Sequence, residues 1–148
     1  MVKRFSDRSR KVLAACNQEM TRRGWPHIGT EVILQAILKE PGGIALDAFD
    51  NLGISSEQVT RQIDDVIGTE NTRPAKELPL KPTGKIAINR ALAEADRLGD
   101  NILEPGHLLL GLIDDPDGIT RAFIGELNVS PDRFRDEVVR LLERAKGH

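Results

Sequence analysis

Few residues in this chain could do chemistry, and most lack the neighbours that chemistry needs. The single Cys16 falls in a helical stripe between Val12 and Met20. No His stands at a local spacing that would activate it, so it reads as core packing. A lone cysteine also makes no internal disulfide, which fits a reducing cytoplasm. His107 and Glu104 are three apart and His27 is elsewhere, which is no ligand cluster of zinc spacing. Lys11, Lys39, Lys81 and Lys85 all lack the Gly-x-x-x-x-Gly-Lys-Ser/Thr setting of a phosphate loop. Without a nucleophile–base set or a cofactor loop, the reading is a binding protein, not an enzyme, with no cofactor and no metal. Two features remain. Glu31 directly follows Thr30 at a helix start, where an acid is favoured. Trp25, the sole Trp, sits in Gly24-Trp25-Pro26-His27, either as an exposed anchor for a partner or as a lid over a helix junction.

The elements that position these residues occur twice. Ile28 to Leu38 is echoed by Leu103 to Ile113 at an offset of 75 residues. At that offset Glu19 meets Glu94, Arg22 meets Arg97, Gly24 meets Gly99 and Leu34 meets Leu109. Pro41 meets Pro116, Gly43 meets Gly118, Leu52 meets Leu127 and Ser55 meets Ser130. Ungapped agreement at turn and core positions is a tandem duplication. With 148 residues the whole is the size of one domain, and either half alone is near the lower limit for burying a core. Hydrophobic residues at 39% and charged residues at 30% describe a soluble globular chain. A net charge of -2 with interspersed signs argues against a nucleic-acid footprint. No apolar run approaches the roughly 20 residues that span a bilayer, and no signal peptide is visible.

Taken in order, Ser6 or Asp7 caps a first helix that Gly24 stops. Thr30 caps a second, apolar nearly all round and therefore buried, running to about Lys39. A third carries Ile44, Ala45, Ala48, Phe49 and Leu52. A fourth, capped by Ser55, carries Val59, Ile63, Val66 and Ile67. Proline-broken residues 69–81 read as an extended linker. The pattern then repeats: a helix from about Pro82 to Leu98, a short buried one begun by Pro105, one with Ile119, Ala122, Phe123 and Leu127, and a last one capped by Ser130. Nothing reads as a strand. The expectation is an all-α single domain over 1–148, eight helices in two pseudo-symmetric fours, with repeat one at 5–68 and repeat two at 82–145.

Phe5-Ser6-Asp7-Arg8-Ser9-Arg10-Lys11-Val12-Leu13, Ile28-Gly29-Thr30-Glu31 and Asn51-Leu52-Gly53-Ile54 resemble the Clp repeat. This is the duplicated N-terminal domain of the Clp family of AAA+ unfoldases, most like the ClpC/ClpA type. His107-Leu108-Leu109-Leu110-Gly111-Leu112 and Leu127-Asn128-Val129 resemble its second repeat. The resemblance runs from Phe5 to about Leu142. It implies a protein-binding module that receives substrate or adaptor proteins for a Clp ATPase, in cis or in trans, in the cytoplasm, with no nucleic-acid or membrane partner. The alternative is a free-standing regulatory or small-ligand-binding protein outside proteolysis.

The resemblance also implies a site. In some members the acid of a Gly-Thr-Glu-His motif receives phosphoarginine, a carboxylate pairing with the guanidinium while a helix N-terminus takes the phosphate. That role falls on Glu31, with Thr30 as cap, Ser6 at the family's early Thr and Val12 as a wall. The motif's His is Val32 here. In repeat two, Pro105 and Gly106 stand at the Thr and Glu positions, so a second pocket is not expected.

Overall fold

The computed structural model describes residues 4–24, 29–40, 43–67, 83–116 and 118–147. Trp25 and the expected linker 69–81 lie outside them. Helix α1 spans Asp7–Arg23, α2 Thr30–Lys39, α3 Ile44–Asn51 and α4 Ser56–Ile67. Then come α5 Thr83–Arg97, α6 Pro105–Ile113, α7 Ile119–Glu126 and α8 Pro131–Gly147. The two fours follow the same long–short–short–long order, as the duplication requires.

Local chemistry explains most boundaries. Ser6 Oγ accepts the N–H of Ser9 at 3.1 Å to start α1. Ser55 does the same for Gln58 at 3.2 Å before α4, and Ser130 for Arg133 at 3.1 Å before α8. Gly24 ends α1 at φ 69°, a left-handed turn that glycine makes without a Cβ penalty. Its repeat-two counterpart Gly99 turns at φ 75° after α5.

Some expectations fail. A pair of two-residue strands exists: β1 (Arg4–Phe5) runs parallel to β2 (Ile102–Leu103), with Phe5 opposite Leu103. Two residues are too short to show the alternation that marks a strand in sequence. Also, Thr30 is not the cap of α2. Gly29 is, in extended conformation, and it has no side chain with which to cap that helix.

The apolar faces meet in one core. All nine residues of α6 are buried, and so are Val32 through Ile37 of α2. Phe49 of α3 packs edge to face on Phe134 of α8, ring centroids 5.8 Å apart, joining the repeats. In α7 the buried residues are Thr120, Phe123 and Ile124, whereas Ala122 faces out. Arg135 of α8 reaches Glu94 of α5 and, at 2.8 Å, Asp114 at the end of α6.

Candidate functional site

The start of α2 is the first candidate. Glycine at the cap supplies no side chain, so the positive end of the helix is covered by whatever lies nearby. The nearest group is the carboxyl of Glu31. A Cβ built on Gly29 would lie 2.8 Å from Glu31 Cδ and 2.9 Å from Oε2, so the carboxylate folds back across the cap residue. Glu31 and Thr30 are both half-buried, reachable from solvent at the end of a helix whose body is in the core. Here a carboxylate and a helix N-terminus adjoin.

Ser6 and Val12 are placed differently. Ser6 is half-buried, and its bonds lead to repeat two: its N–H donates to the Leu103 carbonyl at 3.0 Å. The Ser9 hydroxyl donates to the same carbonyl at 2.8 Å. Ser6 therefore fastens α1 to the segment before α6. Val12 is 1% exposed, a core residue rather than a surface wall. Cys16 is fully buried, and burial pushes its thiol up to about 12, which leaves it unreactive.

The start of α6, the equivalent place in repeat two, has other chemistry. Gly106 stands where Glu31 stands in repeat one. A Cβ there would lie 3.0 Å from Leu142 Cδ2, so α8 closes the space a Glu31-like side chain would need. Beside it, a network that the sequence did not disclose is built on His107, 1% exposed. The N–H of Glu104 donates to His107 Nδ1 at 2.8 Å, the part a Glu or Gln side chain plays in a capping box. An acceptor Nδ1 leaves the proton on Nε2, which donates to Asp100 Oδ2 at 2.7 Å. Asp100 Oδ1 pairs with Lys146 of α8 at 2.8 Å. Burial pushes the Asp100 carboxyl up, but the Lys146 and His107 bonds outweigh it and hold the group below its usual range. Both ring nitrogens of His107 are thus spent on structure.

A cavity of about 360 Å³ opens against this network. Ile44, Leu142 and Ala145 give it an apolar side, and Asp100, Glu104, His107 and Lys146 a polar one. Oε1 of Glu104 is buried there and takes no hydrogen bond. Among the described residues no three His, Cys, Asp or Glu side chains group to hold a metal, and no helix is long and apolar enough to cross a membrane.

The comparisons with known proteins agree with this architecture. The sequence matches the Clp repeat (R) N-terminal domain over residues 4–101 and again over 80–148. It is 34% identical over 142 residues to the negative regulator of genetic competence ClpC/MecB of Bacillus subtilis, covering 96% of this chain and 17% of that protein. It is 32% identical over 142 residues to the chloroplastic chaperone protein ClpC2 of Oryza sativa subsp. japonica, covering 96% and 16%. The chain thus spans about one sixth of the length of these relatives. The fold is similar to the Hsp104 N-terminal domain from Candida albicans, with a TM-score of 0.74 and 15% identity over 94% of this chain and 91% of that one.

Proposed function

The chain belongs to the Clp repeat N-terminal domain family, and from that membership we propose that it is a cytoplasmic protein-binding module. It receives substrate or adaptor proteins for a Clp-type AAA+ ATPase, acting in cis or in trans. Binding rather than catalysis is its work, since His107 and Asp100 are already committed to each other.

The finer part of the reading is a single pocket at the start of α2 for a phosphoarginine-type group. One observation carries it: the Glu31 carboxylate lies folded against the uncapped end of a helix at a half-exposed position. A guanidinium pairs with that carboxylate, and the attached phosphate meets backbone N–H groups at the positive end of the dipole. Thr30 adds a hydroxyl beside it, and Val12 supports the site from the core. Ser6 stands at the start of α1, and its role is to tie that helix to the segment before α6 through Leu103. Trp25, which follows Arg23 and Gly24 in the sequence, is the partner anchor of this reading.

An amide NMR titration with phosphoarginine, with arginine as control, tests the pocket. Shifts centred on Thr30 and Glu31 that vanish in Glu31→Ala are expected, and equal affinity in that variant would remove the assignment. A permanently unfolded model protein, titrated in parallel, tests the broader reading through saturable binding.

A further inference from the structure

We propose that the last turn of α8 is an internal plug. Lys146 fills a cation-accepting position beside the 360 Å³ cavity, and a long basic side chain of a bound polypeptide takes that position by displacing it. The inference concerns repeat two and goes beyond the pocket at α2, although it rests on the reading of the domain as a polypeptide binder.

The lysine's three N–H groups are matched by three acceptors, and one acceptor in the cavity wall is left over. Around the Lys146 ammonium stand Asp100 Oδ1 at 2.8 Å, Glu143 Oε1 at 3.1 Å and the Leu98 carbonyl at 3.3 Å. A further carboxylate oxygen, Glu104 Oε1, is buried in the cavity wall without a partner. Two carboxylates and a carbonyl facing one ammonium, with a third carboxylate in the adjoining cavity wall, make a place suited to positive charge. The chain's own lysine already shows which chemistry the place accepts.

Lys146 is also easy to remove. Its side chain is 40% exposed and belongs to the last turn of a helix that ends at Gly147. An exposed ion pair at a helix end is weak. What it leaves behind is not. Asp100 is 8% exposed, and its other oxygen stays bonded to the buried His107, whose ring is fixed in turn by the Glu104 N–H. The acceptor therefore keeps its orientation when the lysine departs, and little ordering is needed to bind a second cation.

The cavity selects the shape of the newcomer. A methylene stem lies along Ile44, Leu142 and Ala145, and the charged head reaches Asp100 and Glu104. This is the way lysine and arginine side chains bury their stems while keeping a polar end satisfied. Binding and release are thereby linked: a basic residue in the cavity frees the end of α8 from the turn that follows α5.

The test is an amide NMR titration with Nα-acetyl-lysine amide, and Nα-acetyl-norleucine amide as the uncharged control. Shifts over residues 99–107 and 142–146 are expected with the lysine probe. Lys146→Met, which keeps the stem and removes the charge, should bind it about fivefold more tightly, the scale of one exposed ion pair. Adding Glu104→Gln to Lys146→Met should reverse the gain, with circular dichroism confirming that both variants are folded. Equal affinity in wild type and Lys146→Met, or equal binding of the norleucine probe, overturns the proposal. Shifts confined to Thr30 and Glu31 report the other pocket and also count against it.

Discussion

The two helix starts that the duplication makes equivalent have been equipped in opposite ways. At the start of α2 the chain has Gly29, Thr30, Glu31 and Val32; at the start of α6 it has Glu104, Pro105, Gly106 and His107. In repeat one the polar group is a surface carboxylate over an uncapped helix end, and the residue beneath it is apolar and buried. In repeat two the polar groups point inward, and the outward position is a glycine pressed by Leu142. One scaffold thus carries a reachable acid on one side and a buried, fully bonded histidine on the other. A duplicated fold keeps its core pattern while its helix ends, where backbone groups must find partners, are free to diverge.

The largest test of this difference lies in how closely the helices pack. Gly111 of α6 corresponds to Ala36 of α2. A Cβ at Gly111 would meet the Ala87 carbonyl, lie 2.9 Å from Ala91 N and 3.2 Å from Ala91 Cβ, so backbone of α5 blocks it. Gly111→Ala should therefore destabilise by about 2–3 kcal/mol despite the better helix propensity of alanine. The mirror change, Ala36→Gly, should cost only about 1 kcal/mol. Denaturant unfolding of both variants checks the asymmetry, and similar losses would show that the two helix pairs pack alike.

Exchanging the inward residues comes next. His107→Val leaves the Glu104 N–H and one oxygen of Asp100 without partners, a loss of about 2 kcal/mol. Val32→His places a polar ring in a site 1% exposed, where the residue matching Glu104 is Gly29 and that matching Asp100 is Trp25. It should cost about 1–3 kcal/mol. If Val32→His were neutral, repeat one would hold partners for a buried histidine after all.

A pH series separates the charged part of the repeat-two network. The Asp100 carboxyl is held below its ordinary value of 3.8, so the unfolded chain binds its proton more readily than the folded one. Its contribution is present above about pH 4 and is lost as pH falls through the lower folded value. Asp100→Asn should cost about 1–2 kcal/mol at neutral pH, with the gap from wild type closing below that range. Taking the difference matters because Asp114 works the other way: burial and the nearby Glu94 raise its carboxyl above the usual range. A gap independent of pH would mean that Asp100 acts through shape alone.

Much of this arrangement was legible in sequence because its causes are local. Ser6, Ser55 and Ser130 each cap a helix by accepting an N–H three residues on, and Gly24 and Gly99 each end one by turning left-handed. The buried character of α2 and α6 followed from aliphatic residues all round them. The parts that were not legible depend on longer range or on small margins. Thr30 is the stronger capping residue by preference, yet the chain turns one residue earlier and makes Gly29 the cap. In α7, two turns define a face poorly, and Ile124 is buried where Ala122 was expected. His107 and Asp100 were invisible as a pair because the bend between α5 and α6, rather than any sequence spacing, brings them to 2.7 Å. The bond from Ser6 to Leu103 has the same origin: the parallel pairing of Phe5 with Leu103 holds Ser6 to the segment before α6.

The smallest change in stability should carry the most information about binding. Gly29 has no Cβ, and its repeat-two counterpart is Glu104, which has one. In Gly29→Ala the new methyl would fall within van der Waals overlap of the Glu31 carboxyl, 2.8 Å from Cδ. That carboxyl is the free end of a flexible side chain, so it swings away. The backbone at position 29, with φ -88° and ψ 157°, suits alanine without strain. Stability should thus fall by no more than about 0.5–1 kcal/mol, the cost of a poorer cap residue. Affinity for phosphoarginine should drop far more, because the carboxylate no longer lies over the helix end where guanidinium and phosphate are met together. A calorimetric titration beside a melting curve reads both quantities on one sample. If affinity and stability instead fell in step, the folded-back Glu31 would be serving its own helix, as the acid of any first turn does.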